Sequence, residues 1–181
     1  MPIVIISDTH GSLEGWEKAN HYLNGADLIL HAGDILYHGP RNPIPPGYDP
    51  AALAQAINDV GVPTIVARGN CDADVDQLVI RTPIQSPYAW VSIDGVRILV
   101  THGDREVVNR DELVAGGQIH LWVSGHTHIP KLEIKGPVMF VNPGSLGLPK
   151  AGEPSLAILE GKRISIVGVE TGKILMADSL S

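Results

Sequence analysis

The stretch Pro2-Ile3-Val4-Ile5-Ile6-Ser7-Asp8-Thr9-His10 decides how this chain is read. An apolar run of strand length leads into Asp-x-His and then into a polar loop that contains Gly11. Strand geometry repeats every second residue, so Asp8 and His10 are expected on the same side, able to grip one cation together. A buried strand that hands its last side chains to a site is the plan of an α/β sheet, in which sites gather at the carboxyl ends of strands.

The same plan repeats outward from this stretch. Leu13, Trp16, Ala19, Asn20 and Leu23 recur at helical spacing between Leu13 and Asn24. Asp27 to His31 reads as the next strand and ends in Ala32-Gly33-Asp34. A second helix is predicted from Asp49 as N-cap, with Pro50 in its first turn, to about Asp59. Val62 to Arg68 is a third strand, ending in Gly69-Asn70. Strands alternating with helices predict an α/β fold whose sheet begins parallel.

From Tyr88 the pattern changes. Ala89 to Asp94 and Val96 to Thr101 flank Asp94-Gly95, a strong hairpin signal, and the second run is followed by His102. Asn109 to Ala115 reads as a short helix, and Ile119 to Ser124 as a buried strand ahead of Gly125-His126-Thr127-His128. Lys131 to Ile134, Val138 to Asn142, Leu156 to Leu159, Ile164 to Val169 and Lys173 to Met176 read as consecutive antiparallel strands. No linker interrupts the chain, so one domain spanning residues 1–181 is expected, a two-sheet β-sandwich flanked by helices in αββα layers. Aromatic residues are only 4% of the chain, so Val, Ile, Leu and Ala must fill the core, with Trp16, Trp90 and Trp122 placed there too.

Bulk properties narrow the partners. A formal charge of −7 argues against wrapping long nucleic acid, which needs clustered Lys and Arg. No run approaches the roughly 20 apolar residues of a membrane helix, and the start of the chain lacks a signal-peptide pattern. Cys71 has no second cysteine to pair with. The expectation is a cytoplasmic protein with no membrane attachment, and a homo-oligomer remains open.

Seven residues stand at the ends of these runs: Asp8, His10, Asp34, Asn70, His102, His126 and His128. Singly, each has a plain structural explanation, as a helix cap, a turn residue or a packed imidazole. Together they supply carboxylate, amide and imidazole donors for two divalent ions. That mixture, free of thiolate, suits Mn²⁺, Fe²⁺, Zn²⁺ or Co²⁺ better than Ca²⁺. Five prolines lie between Tyr37 and Pro50, a stiff loop that begins three residues after Asp34. It is read as a wall of the site, with Arg41 or His38 facing a substrate phosphate. His31 is read as packed or orienting a ligand, His21 and His120 as surface residues, and Asn142-Pro143-Gly144-Ser145 as a tight turn, or else a source of backbone amides near the metals.

Asp-x-His, Gly-Asp, Gly-Asn, His and Gly-His-x-His in this order resemble the calcineurin-like metallophosphoesterase superfamily. His38-Gly39-Pro40-Arg41-Asn42, Arg68-Gly69-Asn70-Cys71-Asp72 and Asn142-Pro143-Gly144-Ser145 bring it close to the small bacterial phosphodiesterases of that superfamily. The resemblance implies two divalent ions, Mn²⁺ first among Fe²⁺, Zn²⁺, Co²⁺ and Ni²⁺. Asp8, His10 and His128 would hold one, Asn70, His102 and His126 the other, and Asp34 would bridge them. It further implies hydrolysis of small phosphodiesters through a metal-bridging hydroxide. Many members carry His where this chain has Cys71, and a thiol is a poor proton donor at neutral pH. Cys71 is read as a small buried residue or a weak substrate contact. Alternatives are a nuclease or cyclic-nucleotide phosphodiesterase on the same site, or a protein-binding scaffold that keeps the fold without the chemistry.

Overall fold

A computed structural model describes residues 1–180. In chain order the elements are β1 (Pro2–Ile6), α1 (Leu13–Leu23), β2 (Leu28–His31), α2 (Pro50–Asp59), β3 (Thr64–Ala67), β4 (Ile84–Gln85), β5 (Tyr88–Ile93) and β6 (Val96–Thr101). They continue with α3 (Arg110–Ala115), β7 (Leu121–Val123), β8 (Lys131–Lys135), β9 (Val138–Asn142), β10 (Ser155–Glu160), β11 (Arg163–Gly168) and β12 (Ile174–Ser179). Side chains start two of the helices. Ser12 caps α1 by accepting from the Gly15 amide, and Asp49 caps α2 by accepting from Ala52, with Pro50 in the first turn.

Seven strands form one sheet in the order β12-β11-β10-β1-β2-β3-β4, and five form the other in the order β5-β6-β7-β9-β8. The run from β1 through β2 and β3 to β4 is parallel, as are β6, β7 and β9. Period two sorts β1 into two cores. Ile3 and Ile5 face the second sheet with Leu28, Leu30, Val100, Val123 and Val141. Val4 and Ile6 face the helices, against Trp16, Leu23, Leu53 and Ile57. A strand buried on both faces must be apolar throughout, which explains the unbroken Ile-Val-Ile-Ile run. The outer face of the second sheet carries a smaller cluster of Leu99, Val107, Ile119, Trp122 and Val138, partly covered by Leu113 and Val114 of α3.

Two readings of the sequence are corrected. The strands after Lys131 are not one antiparallel series. β8 and β9 belong to the second sheet, where β9 lies parallel to β7, whereas β10 to β12 join the first sheet, with β10 antiparallel to β1. Partners so far apart in sequence leave no local signal of where the chain changes sheet. β12 also runs three residues past Met176, and β7 is trimmed to Leu121–Val123. Trp90 is not core: it is 48% exposed, because Ala89 and Val91 take the inward positions of β5 and alternation turns Trp90 outward.

Candidate metal centre

All seven candidate ligands lie on loops that follow strands, at one end of the sandwich. Asp8 and His10 follow β1, Asp34 follows β2, Asn70 follows β3, His102 follows β6, and His126 and His128 follow β7. The pleat does not aim them, contrary to the period-two argument. Asp8, His10, Asp34, His126 and His128 all have positive φ, between 47° and 67°, so five of the seven sit in left-handed backbone. Asp, Asn and His tolerate this region better than most side chains, and such strain gathers where function demands it. Each αL residue turns the chain sharply, so successive ligands swing into a common centre instead of continuing the strand.

Neighbouring polar groups settle which atom of each side chain faces that centre. The Nδ1 atoms of His10, His102 and His128 lie 2.8, 2.7 and 2.7 Å from the carbonyls of Tyr37, Ala32 and Leu148. A carbonyl only accepts, so each Nδ1 carries hydrogen and each ring turns its Nε2 inward, as a lone pair whenever the ring is neutral. His126 is turned the other way, its Nδ1 lying 3.3 Å from His102 Nε2. The acids divide their oxygens in the same manner. Asp8 Oδ2 accepts from Ser7 Oγ at 2.6 Å and from the His126 amide at 3.0 Å. Asp34 Oδ1 accepts from the Cys71 amide at 2.7 Å. Their other oxygens are left to the centre: Asp8 Oδ1 is 3.2 Å from His128 Nε2, and Asp34 Oδ2 is 3.6 Å from His10 and 3.4 Å from His102.

Whether this set fits a metal can be tested on its own geometry. His10 Nε2 and His128 Nε2 approach to 3.1 Å, and two neutral imidazoles whose lone pairs meet there repel each other unless something positive lies between. Asp8 Oδ1 is buried without a hydrogen-bond donor. Asn70 Oδ1 stands 3.1 Å from His102 Nε2. Donor atoms bound to one ion at about 2.1 Å are separated by roughly 3.0–3.4 Å, so these spacings suit shared coordination. Asp8, His10 and His128 form one such group, and Asp34 touches both it and His102. The residues fit two cations.

Ionisation follows from the same contacts. Burial opposes charge on Asp8, yet the close imidazoles of His10, His128 and His102 outweigh it and hold the carboxyl well below the carboxylate range. Burial also pulls His102 down, but the Asp34 hydrogen bond and the Asp8 charge prevail and raise it to about 9. Cys71 is pushed up to about 12, first by burial and then by the Asp34 carboxylate. Burial takes His31 down to about 4. Neutral His31 accepts from the Gly33 amide at Nδ1 and donates from Nε2 to Thr9 Oγ1, tying the first ligand loop to the second.

Around the centre opens a cleft of about 1050 Å³. Five of the ligands are buried, while Asn70 and His126 form the more open side. The proline-rich loop supplies one wall, including Tyr37, Arg41 and Asn42. Arg41 is exposed and has no ion pair or hydrogen bond among the described residues. His38, read as a second substrate contact, is not on the cleft wall: its ring packs edge-on between Tyr37 and Tyr48, at 4.8 and 5.2 Å between centroids. Cys71 does line the cleft, and its Sγ accepts from Asn70 Nδ2 at 3.2 Å, which turns the amide oxygen toward His102.

Three supporting residues escaped the sequence. Asn142 donates to Gly125 O at 2.6 Å and to Thr127 Oγ1 at 3.0 Å, clamping the His126–His128 loop. Ser145 donates to Asp8 O at 2.7 Å. Asp72 accepts from the amides of Asp34, Ile35 and Gly69, joining the second and third ligand loops. A single polar residue after a strand looks like turn chemistry, so only the pairing of distant loops reveals these duties.

Known proteins share this sequence pattern and fold. Residues 1–163 match the model of the calcineurin-like phosphoesterase superfamily domain. The chain is 37% identical to phosphodiesterase YfcE of Escherichia coli strain K12 over 178 residues, 97% of this chain and 96% of that one. A solved structure of YfcE, described as a phosphoesterase from Escherichia coli, superposes with a TM-score of 0.87 at 33% identity and full coverage of both chains. Vps29 of Entamoeba histolytica, solved in complex with Zn²⁺, superposes with a TM-score of 0.62 at 16% identity, covering 99% of this chain and 98% of that one, a likeness of fold alone.

Proposed function

This chain belongs to the calcineurin-like phosphoesterase superfamily, and from that premise we propose that it is a metal-dependent phosphodiesterase acting on small diesters at a dinuclear site. The observation that carries the reading is the convergence of seven donors in which three imidazoles are locked with Nε2 inward and each acid keeps one bare oxygen. In this reading Asp8, His10 and His128 hold one ion, Asn70, His102 and His126 the other, and Asp34 both. Mn²⁺ is the first candidate, with Fe²⁺, Zn²⁺, Co²⁺ or Ni²⁺ as others. Two such ions would supply a bridging water acidified toward neutrality and positive charge on the phosphoryl oxygens.

The chain's own residues then have separate duties. The backbone carbonyls of Tyr37, Ala32 and Leu148 fix the imidazoles, and Ser7 and the Cys71 amide fix the acids, so no ligand must reorient during turnover. Arg41, unpaired on the cleft wall, meets a phosphoryl oxygen. Cys71 is a poor proton donor with its thiol pushed up to about 12, so the departing alcohol receives little help from it. Diesters with good leaving groups, such as aryl esters, are therefore the preferred substrates. The open cleft with few cationic side chains favours small esters over long nucleic acid, in a cytoplasmic protein. No helix among the described residues is long and apolar enough to cross a membrane.

A hydrolysis panel of phosphomonoesters, aryl and alkyl diesters and cyclic nucleotides, with Mn²⁺ and with chelator, tests this. Aryl diesters should turn over fastest, only with metal, and Asn70→Ala or His102→Ala should abolish turnover. A protein without stoichiometric divalent ions and without diester hydrolysis would be a scaffold instead, and a preference for cyclic nucleotides would favour that narrower activity.

A further inference from the structure

Beside the metal cleft lies a second pocket of about 400 Å³, within the range of about 300–1,000 Å³ common for small-ligand sites. It shares Asn42, Pro43, His128 and Lys150 with the cleft, so the two adjoin along these residues, with His128 between them. Its apolar wall consists of Pro43, Pro46, Leu146, Leu148, Pro149 and Pro154.

Several polar groups on that wall already have partners within the fold. Ser12 Oγ donates to Pro46 O at 2.6 Å and accepts from Gly15 N at 3.0 Å. Lys18 Nζ is held between Glu14 at 2.9 Å and Glu170 at 2.8 Å. Asn42 Nδ2 donates to His38 O at 2.9 Å. Lys150 alone among the lining side chains with a charge has no partner among the described residues, and it stands at the junction with the cleft. A ligand that enters therefore meets proline and leucine surface inside and one free ammonium at the mouth.

We propose that this pocket seats one alcohol arm of the diester, and that it selects an apolar, ring-sized arm over polyhydroxylated or charged ones. The proposal rests on the phosphodiesterase reading of the adjoining centre. A phosphoryl group held beside His128 directs one ester arm past that ring into the pocket and leaves a non-bridging oxygen within the field of Lys150. An apolar arm gives up no hydrogen bond on entry. A glyceryl or nucleoside arm would lose water from hydroxyl or base groups against a wall that is mostly proline and leucine, a costly exchange. An apolar pocket rejects an added hydroxyl by up to about a hundredfold, enough for the preference to be visible in simple probes.

The test is calorimetric binding of phenylphosphonate, methylphosphonate and 2,3-dihydroxypropylphosphonate to the Mn²⁺-loaded protein, with bis(4-nitrophenyl) phosphate hydrolysis measured in parallel. Phenylphosphonate should bind at least tenfold tighter than the other two. Pro154→Asn and Pro149→Asn, made separately because either could disturb its loop, should each reduce that ratio to below about threefold and leave methylphosphonate affinity unchanged. Equal affinities for the three probes, or variants that weaken all three alike, overturn the subsite. Hydrolysis with no phosphonate discrimination also removes the subsite alone. Discrimination retained without any hydrolysis overturns the catalytic reading and leaves the apolar-arm selectivity standing.

Discussion

Gly125 shows how tightly single residues are specified at this centre. A Cβ there would collide with Ser7 Oγ and lie 2.6 Å from Asp8 Oδ2, the oxygen those neighbours keep in place. Gly125→Ala must push Asp8 aside, and divalent affinity measured by titration calorimetry should fall more than tenfold while the far-ultraviolet circular dichroism is kept. Unchanged affinity would mean that Asp8 is not held by this contact. His102 yields a second expectation. Its pKa of about 9 in the folded chain exceeds the ordinary value of 6.5, so in chelator-treated protein its contribution to stability is complete below about pH 6.5. It is lost as pH climbs through 9. A metal needs the neutral ring, so loading at pH 7 should expel a proton that loading at pH 9.5 does not. Calorimetry in two buffers of different ionisation enthalpy reads this directly, and equal apparent enthalpies at pH 7 would refute it. The candidate ligands that the structure brings together could be picked out because strand ends and Asp-x-His or His-x-His patterns are local. The left-handed backbone was not: Asp8 looks the same in sequence whether pleat or turn aims it.

At the scale of elements, the loop after β9 does two jobs. It carries the chain from the second sheet to the first, and on the way Asn142 and Ser145 brace the loops after β7 and β1. Asn142→Ala removes one of the two donors to Gly125 O, which keeps the Thr127 amide, and should cost about 0.5–1.5 kcal/mol in denaturant unfolding. Metal affinity should drop about 10- to 100-fold, as for other groups that orient ligands. A stability loss with full metal affinity would confine Asn142 to the scaffold. The sequence disclosed β1 to β3 with α1 and α2, because buried parallel strands are unbroken apolar runs and both helices carry cap residues. The β5–β6 hairpin was equally plain, since Asp94 and Gly95 both have positive φ, as a tight two-residue turn requires. β4, two residues long, has no periodicity to find, and the change of sheet after β9 depends on pairing with β1, more than a hundred residues away.

Over the whole molecule, five loops from two sheets meet at one end, so ions bound there fasten the halves of the sandwich together. Removing them should loosen the fold as well as stop turnover. An ion present at 100 times its Kd stabilises by about 2.7 kcal/mol, and for a chain of this length each kcal/mol moves the Tm by about 2–4 °C. Scanning calorimetry with Mn²⁺ and with chelator should therefore differ by roughly 5–10 °C per ion, and coincident transitions would show that the loops hold without them. The layered fold as a whole could be foreseen from the order of patterns, whereas the orientation of Trp90 depends on which face of β5 meets the core.

The five left-handed ligand positions also limit how this site could decay. Asp, Asn and His belong both to the side chains that bind hard or borderline cations and to those that accept positive φ, so chemistry and backbone admit nearly the same alphabet. A lineage that lost the metal would be steered at these positions toward Asn or Gly, not toward Val or Ile. Such a vestige would keep every bend of the loops while losing the charges, and it could be recognised as a former enzyme by its silent asparagines and glycines.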